Sequence, residues 1–134
     1  MDREELFAYA AEQYGAEPEY LWARWPDCCV LRHPQNRKWY AVVMDVARCT
    51  FGLAGEGSVS VANFKCGPLL SGVFRGREGV FPAYHMSRTN WVSVLLDGTA
   101  SRETVIELLG LSYDLTRAMP RRAAGAKEQD DKGE

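Results

Sequence analysis

Few residues of the kinds that usually form catalytic or metal centres occur in this chain. Its only histidines are His33 and His85, so a metal site would have to recruit scattered cysteines or carboxylates. No cysteine pair has the C-x-x-C spacing typical of zinc and redox sites, and no glycine-rich phosphate loop or nucleophile elbow is present. We therefore expect a protein that is not an enzyme and that holds no metal or cofactor. The cysteines, which we expect to be reduced and mostly buried, are Cys28, Cys29, Cys49 and Cys66.

Long apolar runs are also absent. No stretch approaches the ~20 apolar residues that a membrane-crossing helix needs, and the first residues, Met-Asp-Arg-Glu-Glu, are acidic where a secretion signal is basic. These features predict a cytoplasmic protein with no membrane partner. From Pro120 onward no large apolar residue occurs. We therefore expect a single domain over residues 1–117 and a disordered polar tail over residues 118–134.

The formal net charge is −2, but its distribution along the chain is uneven. Residues 1–27 contain seven acids and two bases, and residues 96–117 contain four acids and two bases. Between them, residues 28–95 carry eight bases and three acids, a local net charge of +5. A basic middle section suggests an anionic partner, although Lys and Arg on exposed sheet faces also serve solubility alone.

The N-terminal segment predicts a helix over residues 3–14. Asp2 and Glu5 have the spacing of a capping box, and apolar residues recur between them and Tyr14 at helical intervals. Gly15 follows at the position where a left-handed residue commonly ends a helix.

A short apolar turn between Pro18 and Pro26 leads into a predicted β-hairpin. We expect Trp22 and Trp25, in this turn, to join the core. The hairpin strands are expected over residues 28–32 and 38–46, joined by a polar turn. Alternation in the second strand places Tyr40, Val42, Met44 and Val46 on one face, opposite Trp39, Ala41, Val43 and Asp45.

The rest of the pattern predicts three more strands, over residues 59–65, 80–86 and 91–96, and two more helices. The first helix begins at Pro68, and the second begins after Ser101 and ends at Gly110, followed by one further turn. This order of elements predicts an α+β fold: an antiparallel sheet of about five strands with helices packed on one face and the other face partly open. The residues expected to form the buried face of the first of these helices are Leu69, Leu70, Val73 and Phe74.

Four motifs resemble the MmcQ/YjbR family of small bacterial proteins. They are Asn63-Phe64-Lys65-Cys66-Gly67-Pro68, Pro82-Ala83-Tyr84-His85-Met86, Trp91 with Ser93-Val94-Leu95-Leu96-Asp97-Gly98, and Ser112-Tyr113-Asp114-Leu115. The segments Tyr14-Gly15, Tyr20-Leu21-Trp22 and Lys38-Trp39-Tyr40 also fit. The resemblance covers residues 1–117.

This resemblance implies a two-layer α+β sandwich, frataxin-like in outline, in a "double wing" arrangement suited to DNA. It also shows a departure from the family pattern. Where the family tends to have His-Met-Asn-Lys-x-His-Trp, this chain reads from His85 to Trp91 with Asn90 in place of the second histidine. Arg88 keeps the positive charge of the pattern, whereas a role that needs a second imidazole is in doubt.

We expect the basic and aromatic residues of the middle section to form a nucleic-acid-binding surface. Lys and Arg would bind phosphates, exposed aromatic rings would stack on unpaired bases, and the turn over residues 33–38, which includes His33, would form a wing. The alternative is that the aromatic rings are packed inside the domain and the charges are scattered. The expected binding residues are Arg37, Lys38, Trp39, Lys65, Arg75, Arg77, His85, Arg88 and Trp91.

Other functions remain open. A pocket around His85 and Trp91 could bind a small molecule or a protein segment without catalysis. An enzyme would need a partner for His85, either Cys66 as a nucleophile or Asp97 as an orienting acid. The resemblance also suggests iron binding by the acidic first helix. However, acidic residues in a first helical turn stabilise a helix without any metal. We expect a monomer.

Overall fold

A computed structural model describes residues 1–117, and the expected tail over residues 118–134 lies outside this range. The first helix, α1, spans Arg3–Tyr14 as predicted, with a complete capping box formed by Asp2 and Glu5. Gly15 ends it with φ +65°. The later elements are β1 (Cys29–Arg32), β2 (Trp39–Ala47), a 3₁₀ turn (Arg48–Phe51), β3 (Ser58–Lys65), α2 (Gly67–Phe74), β4 (Val80–Pro82), β5 (Trp91–Leu95) and α3 (Arg102–Thr116).

The five strands form one antiparallel sheet in the order β1-β2-β3-β5-β4. The predicted α+β class and the antiparallel five-stranded sheet are therefore confirmed. The strand expected over residues 80–86 is shorter than predicted and ends at Pro82. Beyond it the chain leaves the edge of the sheet and crosses the face opposite to the helices.

A β-bulge in β2 changes which face its first residues occupy. Leu31 pairs with Ala41 but Arg32 pairs with Trp39, so Tyr40 is an extra residue opposite no partner. Tyr40 therefore joins Ala41 and Val43 in the core under the helices. Simple alternation predicts instead that Trp39 shares the face of Ala41 and Val43 and that Tyr40 lies on the opposite face. The bulge puts the Trp39 ring on the opposite face of the sheet.

The helical face of the sheet carries the main core. Side chains of α1, α3 and the C-terminal end of α2 pack there against alternate residues of the strands, including Leu6, Leu109, Phe74 and Phe64. On the second face a smaller core of Val46, Val59, Val61 and Leu95 is covered by Phe51, Leu53, Phe81 and Tyr84. The second face is thus covered at one part and open at another, where the candidate site lies.

Two helix predictions need correction. In α2 only Ser71 and Phe74 are buried, whereas Leu69, Leu70 and Val73, expected in the core, are 85%, 38% and 60% exposed. The buried residues of this short helix therefore lie in its last turn. In α3, Gly110 does not end the helix, which continues to Thr116.

Candidate nucleic-acid interface and adjacent aromatic pocket

Three chain segments that carry cations meet at one end of the sheet. The β1–β2 turn contains Arg37 and Lys38, β3 ends at Lys65, and the turn before β5 contains Arg88. Antiparallel pairing brings these segments together, because Lys65 pairs with Trp91 and Val42 of β2 pairs with Asn63 of β3. We call Arg37, Lys38, Lys65 and Arg88 the basic end.

The basic end contains no compensating carboxylate of its own. Residues 33–38, 65–68 and 83–91 include no Asp or Glu, and within residues 1–117 none of the four cations has a carboxylate within 4.0 Å. The charge of Arg37 acts on nearby Glu19, but that carboxylate accepts from Arg32 at 2.7 Å, and this hydrogen bond is the main reason why the pKa of Glu19 is lowered. The four cations of the basic end therefore make no ion pair within residues 1–117, and Glu19 near Arg37 is already bound to Arg32.

Two of the predicted phosphate-binding residues lie elsewhere. Arg75 and Arg77 follow the C-terminus of α2, before β4, and belong to none of the three segments of the basic end. The charge of Arg75 acts on the thiol of Cys66, the residue after Lys65. Arg77 pairs with Glu107 of α3 at 2.9 Å and lies 4.6 Å from the Phe74 ring centroid. These contacts join α2 to α3, which is a structural task.

An aromatic pocket of about 470 Å³ opens on the second face beside the basic end. Its rings come from two regions of the chain: the irregular segment between Pro18 and Pro26, and the strand and loop that flank the basic end. Trp22 packs edge-on against Trp39, with ring centroids 5.6 Å apart and an interplanar angle of 87°. The residues of the pocket wall are Trp22, Arg24, Trp25, Pro26, Asp27, Cys28, Trp39, Val42, Met44, Asp45, Tyr84, His85 and Met86.

A closed ring of buried hydrogen bonds holds one wall of this pocket against the sheet. The Ser93 hydroxyl donates to Asn63 Oδ1 at 2.5 Å and accepts from the Tyr84 N–H at 2.9 Å, and Asn63 Nδ2 donates to the Tyr84 carbonyl at 2.9 Å. Ser93 and Asn63 are fully buried. His85, the next residue, has φ +65° and is exposed, with its ring centroid 4.1 Å from that of Tyr84. This network therefore fixes the path of residues 84–86 across the second face.

The two tryptophans of the Pro18–Pro26 segment are not core residues, contrary to expectation. Trp22 is half-buried and Trp25 is 58% exposed, with the Arg24 guanidinium 5.5 Å from the Trp25 ring centroid. The segment forms no helix, and its one β-bridge joins Glu19 to Val30 of β1. The sequence between Pro18 and Pro26 has neither helical nor strand periodicity. This feature could have predicted that the two rings lie at the surface.

Trp91 and His33 are both buried. Trp91 is 4% exposed and lies outside the pocket wall, so its ring is not presented to a partner. His33, expected in a wing, is 1% exposed, and its Nε2 lies 2.8 Å from Thr116 Oγ1. Its ring packs between those of Tyr40 and Tyr113, and burial lowers the pKa of the imidazole. The turn over residues 33–38 thus exposes Arg37, whereas His33 anchors it.

The two partners considered for a catalytic His85 are in unsuitable positions. Cys66 is buried, and burial raises the pKa of its thiol to about 11, so the nucleophilic thiolate is scarce at neutral pH. Asp97 follows β5 at the end of the sheet away from the basic end, where its carboxylate accepts from the Thr99 N–H.

No group of three or more His, Cys, Asp or Glu side chains within residues 1–117 is arranged to hold a metal ion. On the acidic first helix, Glu5 and Asp2 are engaged in the capping box. In the same part of the chain, none of the helices has the length and apolar character needed to cross a lipid bilayer. The cytoplasmic location and the monomeric state stay predictions.

The sheet order, the covering helices and the loops at the basic end define a small α+β domain that is similar to known proteins. The YjbR family model matches residues 11–115. The uncharacterized protein YyaQ of Bacillus subtilis (strain 168) is 36% identical over 117 residues, which cover 87% of this chain and 99% of YyaQ. The chain belongs to the YjbR family, as its motifs predict.

Solved structures agree with this assignment. A crystal structure of a Pseudomonas syringae protein has a TM-score of 0.84 and 38% identity, covering 87% of this chain and 100% of that one. A solution NMR structure of a protein from the same organism has a TM-score of 0.82 and 35% identity, covering 92% and 99%. A Deinococcus radiodurans protein shares the fold alone, with a TM-score of 0.62 and 22% identity over 85% of this chain and 77% of its own.

Proposed function

We propose that this protein binds nucleic acid, DNA in the first instance, through the phosphate backbone at its basic end. The observation that carries the proposal is the convergence of Arg37, Lys38, Lys65 and Arg88 from three segments that contain no carboxylate. The whole chain has a net charge of −2, so this concentration of positive charge is local. A local cluster attracts a polyanion where a uniform distribution of the same charges would not.

The backbone geometry of Arg37 also supports a task for its side chain. Arg37 has φ +66°, a conformation that non-glycine residues rarely adopt. A glycine would relieve this strain, yet an exposed arginine closes the turn, its N–H donating to the His33 carbonyl at 2.9 Å. Residues with a strained backbone often cluster at ligand-binding sites.

Fluorescence anisotropy with a labelled duplex tests the proposal. If all four cations contact phosphates, the logarithm of the affinity falls with the logarithm of the salt concentration with a slope of about −3.6. Affinity should then fall about 100-fold between 50 and 200 mM salt. Lys65→Glu and Arg88→Glu should each weaken binding and make the slope shallower.

Arg102→Glu is the matched control, since Arg102 is an exposed arginine at the start of α3, which follows the end of β5 opposite to the basic end. It changes the net charge by the same amount as the two test variants, so it corrects for the long-range effect of charge. An affinity that does not respond to salt, or an equal loss in Arg102→Glu and Lys65→Glu, would contradict the proposal.

A further inference from the structure

We infer that the aromatic pocket receives an unpaired base of a single strand whose phosphates lie on the basic end. This inference rests on the proposed function and adds its substrate class, namely single-stranded nucleic acid in preference to a duplex. The juxtaposition that carries it is a pocket lined by tryptophans, part of whose wall, Trp39 and residues 84–86, lies in or directly beside the segments of the basic end.

The pocket has the size and the surface that a planar ring requires. Its volume of about 470 Å³ is within the ~300–1,000 Å³ of typical ligand pockets. Trp22 and Trp39 meet edge-on, so the two indole rings do not stack on each other. Met44 and Met86 add adaptable apolar contacts beside them. Such a surface accepts any base, because every base has an aromatic face.

Residues of the pocket wall and cations of the basic end are close neighbours along the chain. Trp39 follows Lys38 directly, and Met86 precedes Arg88 by two residues, a span of at most about 7 Å. A strand with one phosphate at Lys38 or Arg88 therefore has its neighbouring base within reach of the pocket. The bases of a duplex are paired and stacked, and extruding one costs free energy that a single strand does not lose.

An organic cation is a poorer fit to the same aromatic residues. Aromatic cages bind quaternary ammonium groups, and Asp27 and Asp45 lie at this pocket wall. However, Asp45 accepts from the Ser60 hydroxyl at 2.6 Å and has Arg3 3.8 Å away. The chain's own Arg24 already faces the Trp25 ring. A positively charged ligand would therefore meet a resident cation.

Three probes of equal length separate the contributions of base and phosphate: labelled twelve-nucleotide oligo(dT), a fully abasic strand of twelve phosphates, and a twelve-base-pair duplex. The unmodified protein should bind oligo(dT) more tightly than the abasic strand. Trp25→Ala and Trp39→Ala should lower the affinity for oligo(dT) by about fivefold to 100-fold and change the affinity for the duplex less than twofold.

Tyr20→Ala is the matched control, because Tyr20 is an exposed aromatic residue of the same segment that lies outside the pocket wall. It should leave the affinity for each probe unchanged. Trp25 is itself largely exposed, so its variant tests the pocket even if Trp39→Ala disturbs the bulge of β2.

The outcomes distinguish the two proposals. Equal affinity for oligo(dT) and the abasic strand, with a loss in Lys65→Glu, would overturn the inference and leave phosphate binding intact. Loss of oligo(dT) binding in the tryptophan variants, with no effect of salt or of Lys65→Glu, would leave base binding in the pocket but overturn the proposed function and the placement of the phosphates on the basic end. No binding of any probe would overturn both.

Discussion

Replacing Ser93 with alanine tests whether the buried hydrogen-bond network positions the pocket wall. The substitution removes one hydroxyl, which donates to Asn63 Oδ1 and accepts from the Tyr84 N–H. Two polar groups lose their partners in a part of the second face where Asn63 is fully buried. Each such group costs about 1–3 kcal/mol when it is left unsatisfied.

The expected loss in the free energy of unfolding is therefore about 2–4 kcal/mol, because the chain can relax around part of the defect. For a domain of this size the unfolding entropy is about 0.25 kcal/mol/K, so each kcal/mol lowers the melting temperature by about 4 °C. Ser93→Ala should thus melt about 8–16 °C below the unmodified protein.

Thermal unfolding followed by circular dichroism measures this loss, and amide hydrogen exchange at Tyr84 reports whether the wall itself opens. Ser60→Ala is the control, since the Ser60 hydroxyl also donates to a side chain, but to the exposed Asp45. It should cost less than about 1 kcal/mol. Equal melting temperatures for Ser93→Ala and Ser60→Ala, with unchanged exchange at Tyr84, would refute the assigned role of the network.

Three further predictions concern single positions. Gly110→Ala should raise the free energy of unfolding by about 0.5–1 kcal/mol in denaturant titrations, because Gly110 is inside α3 and an added Cβ meets only the Tyr14 hydroxyl at 3.7 Å. Gly79→Ala should cost about 1–3 kcal/mol more than Gly57→Ala, because both have positive φ but only the Gly79 Cβ would lie 2.7 Å from the nitrogen of residue 100. Burial lowers the pKa of His33 in the folded state, so its contribution to stability is lost as the pH falls below about 6.5, and His33→Gln should show a shallower loss between pH 7 and pH 5.

Each of these has a clear contradicting result. A lower stability of Gly110→Ala would mean that α3 does not continue through this position as described. Equal costs at Gly79 and Gly57 would show that the close approach to the loop before α3 is easily relieved. A pH profile of His33→Gln that matches the unmodified protein would show that the imidazole titrates freely in the folded state.

Local chemistry in the sequence determined the elements that depend only on neighbours along the chain. The Asp2–Glu5 capping box satisfies backbone N–H groups at the start of α1, and Gly15 ends the helix. Neither effect depends on distant residues. The strands near β1, β2, β3 and β5 were predictable because each contains a run of apolar residues that is buried, on both faces in β5. The family motifs and the basic character of the middle section were also visible at this level.

Tertiary contacts decided what these local signals could not. The bulge at Tyr40 is defined only by the pairing of β2 with β1, and it moves the Trp39 ring to the second face. Gly110 was predicted to end a helix, but packing carries α3 past it to place Ser112 over the Tyr40 carbonyl and Thr116 beside His33.

The candidate site shows the same division. Its residue types were apparent from the sequence, because cations and aromatic rings are recognisable one at a time. Which of them meet was not apparent, because antiparallel pairing brings Lys65 beside Trp91 and leaves Arg77 paired with Glu107 at another place. Burial also separates Trp91 from Trp25, two residues of identical chemistry. The sequence by itself determined which residue types are available for the site. Only the packing of distant segments decided which of these residues belong to it, since burial and proximity depend on the whole fold.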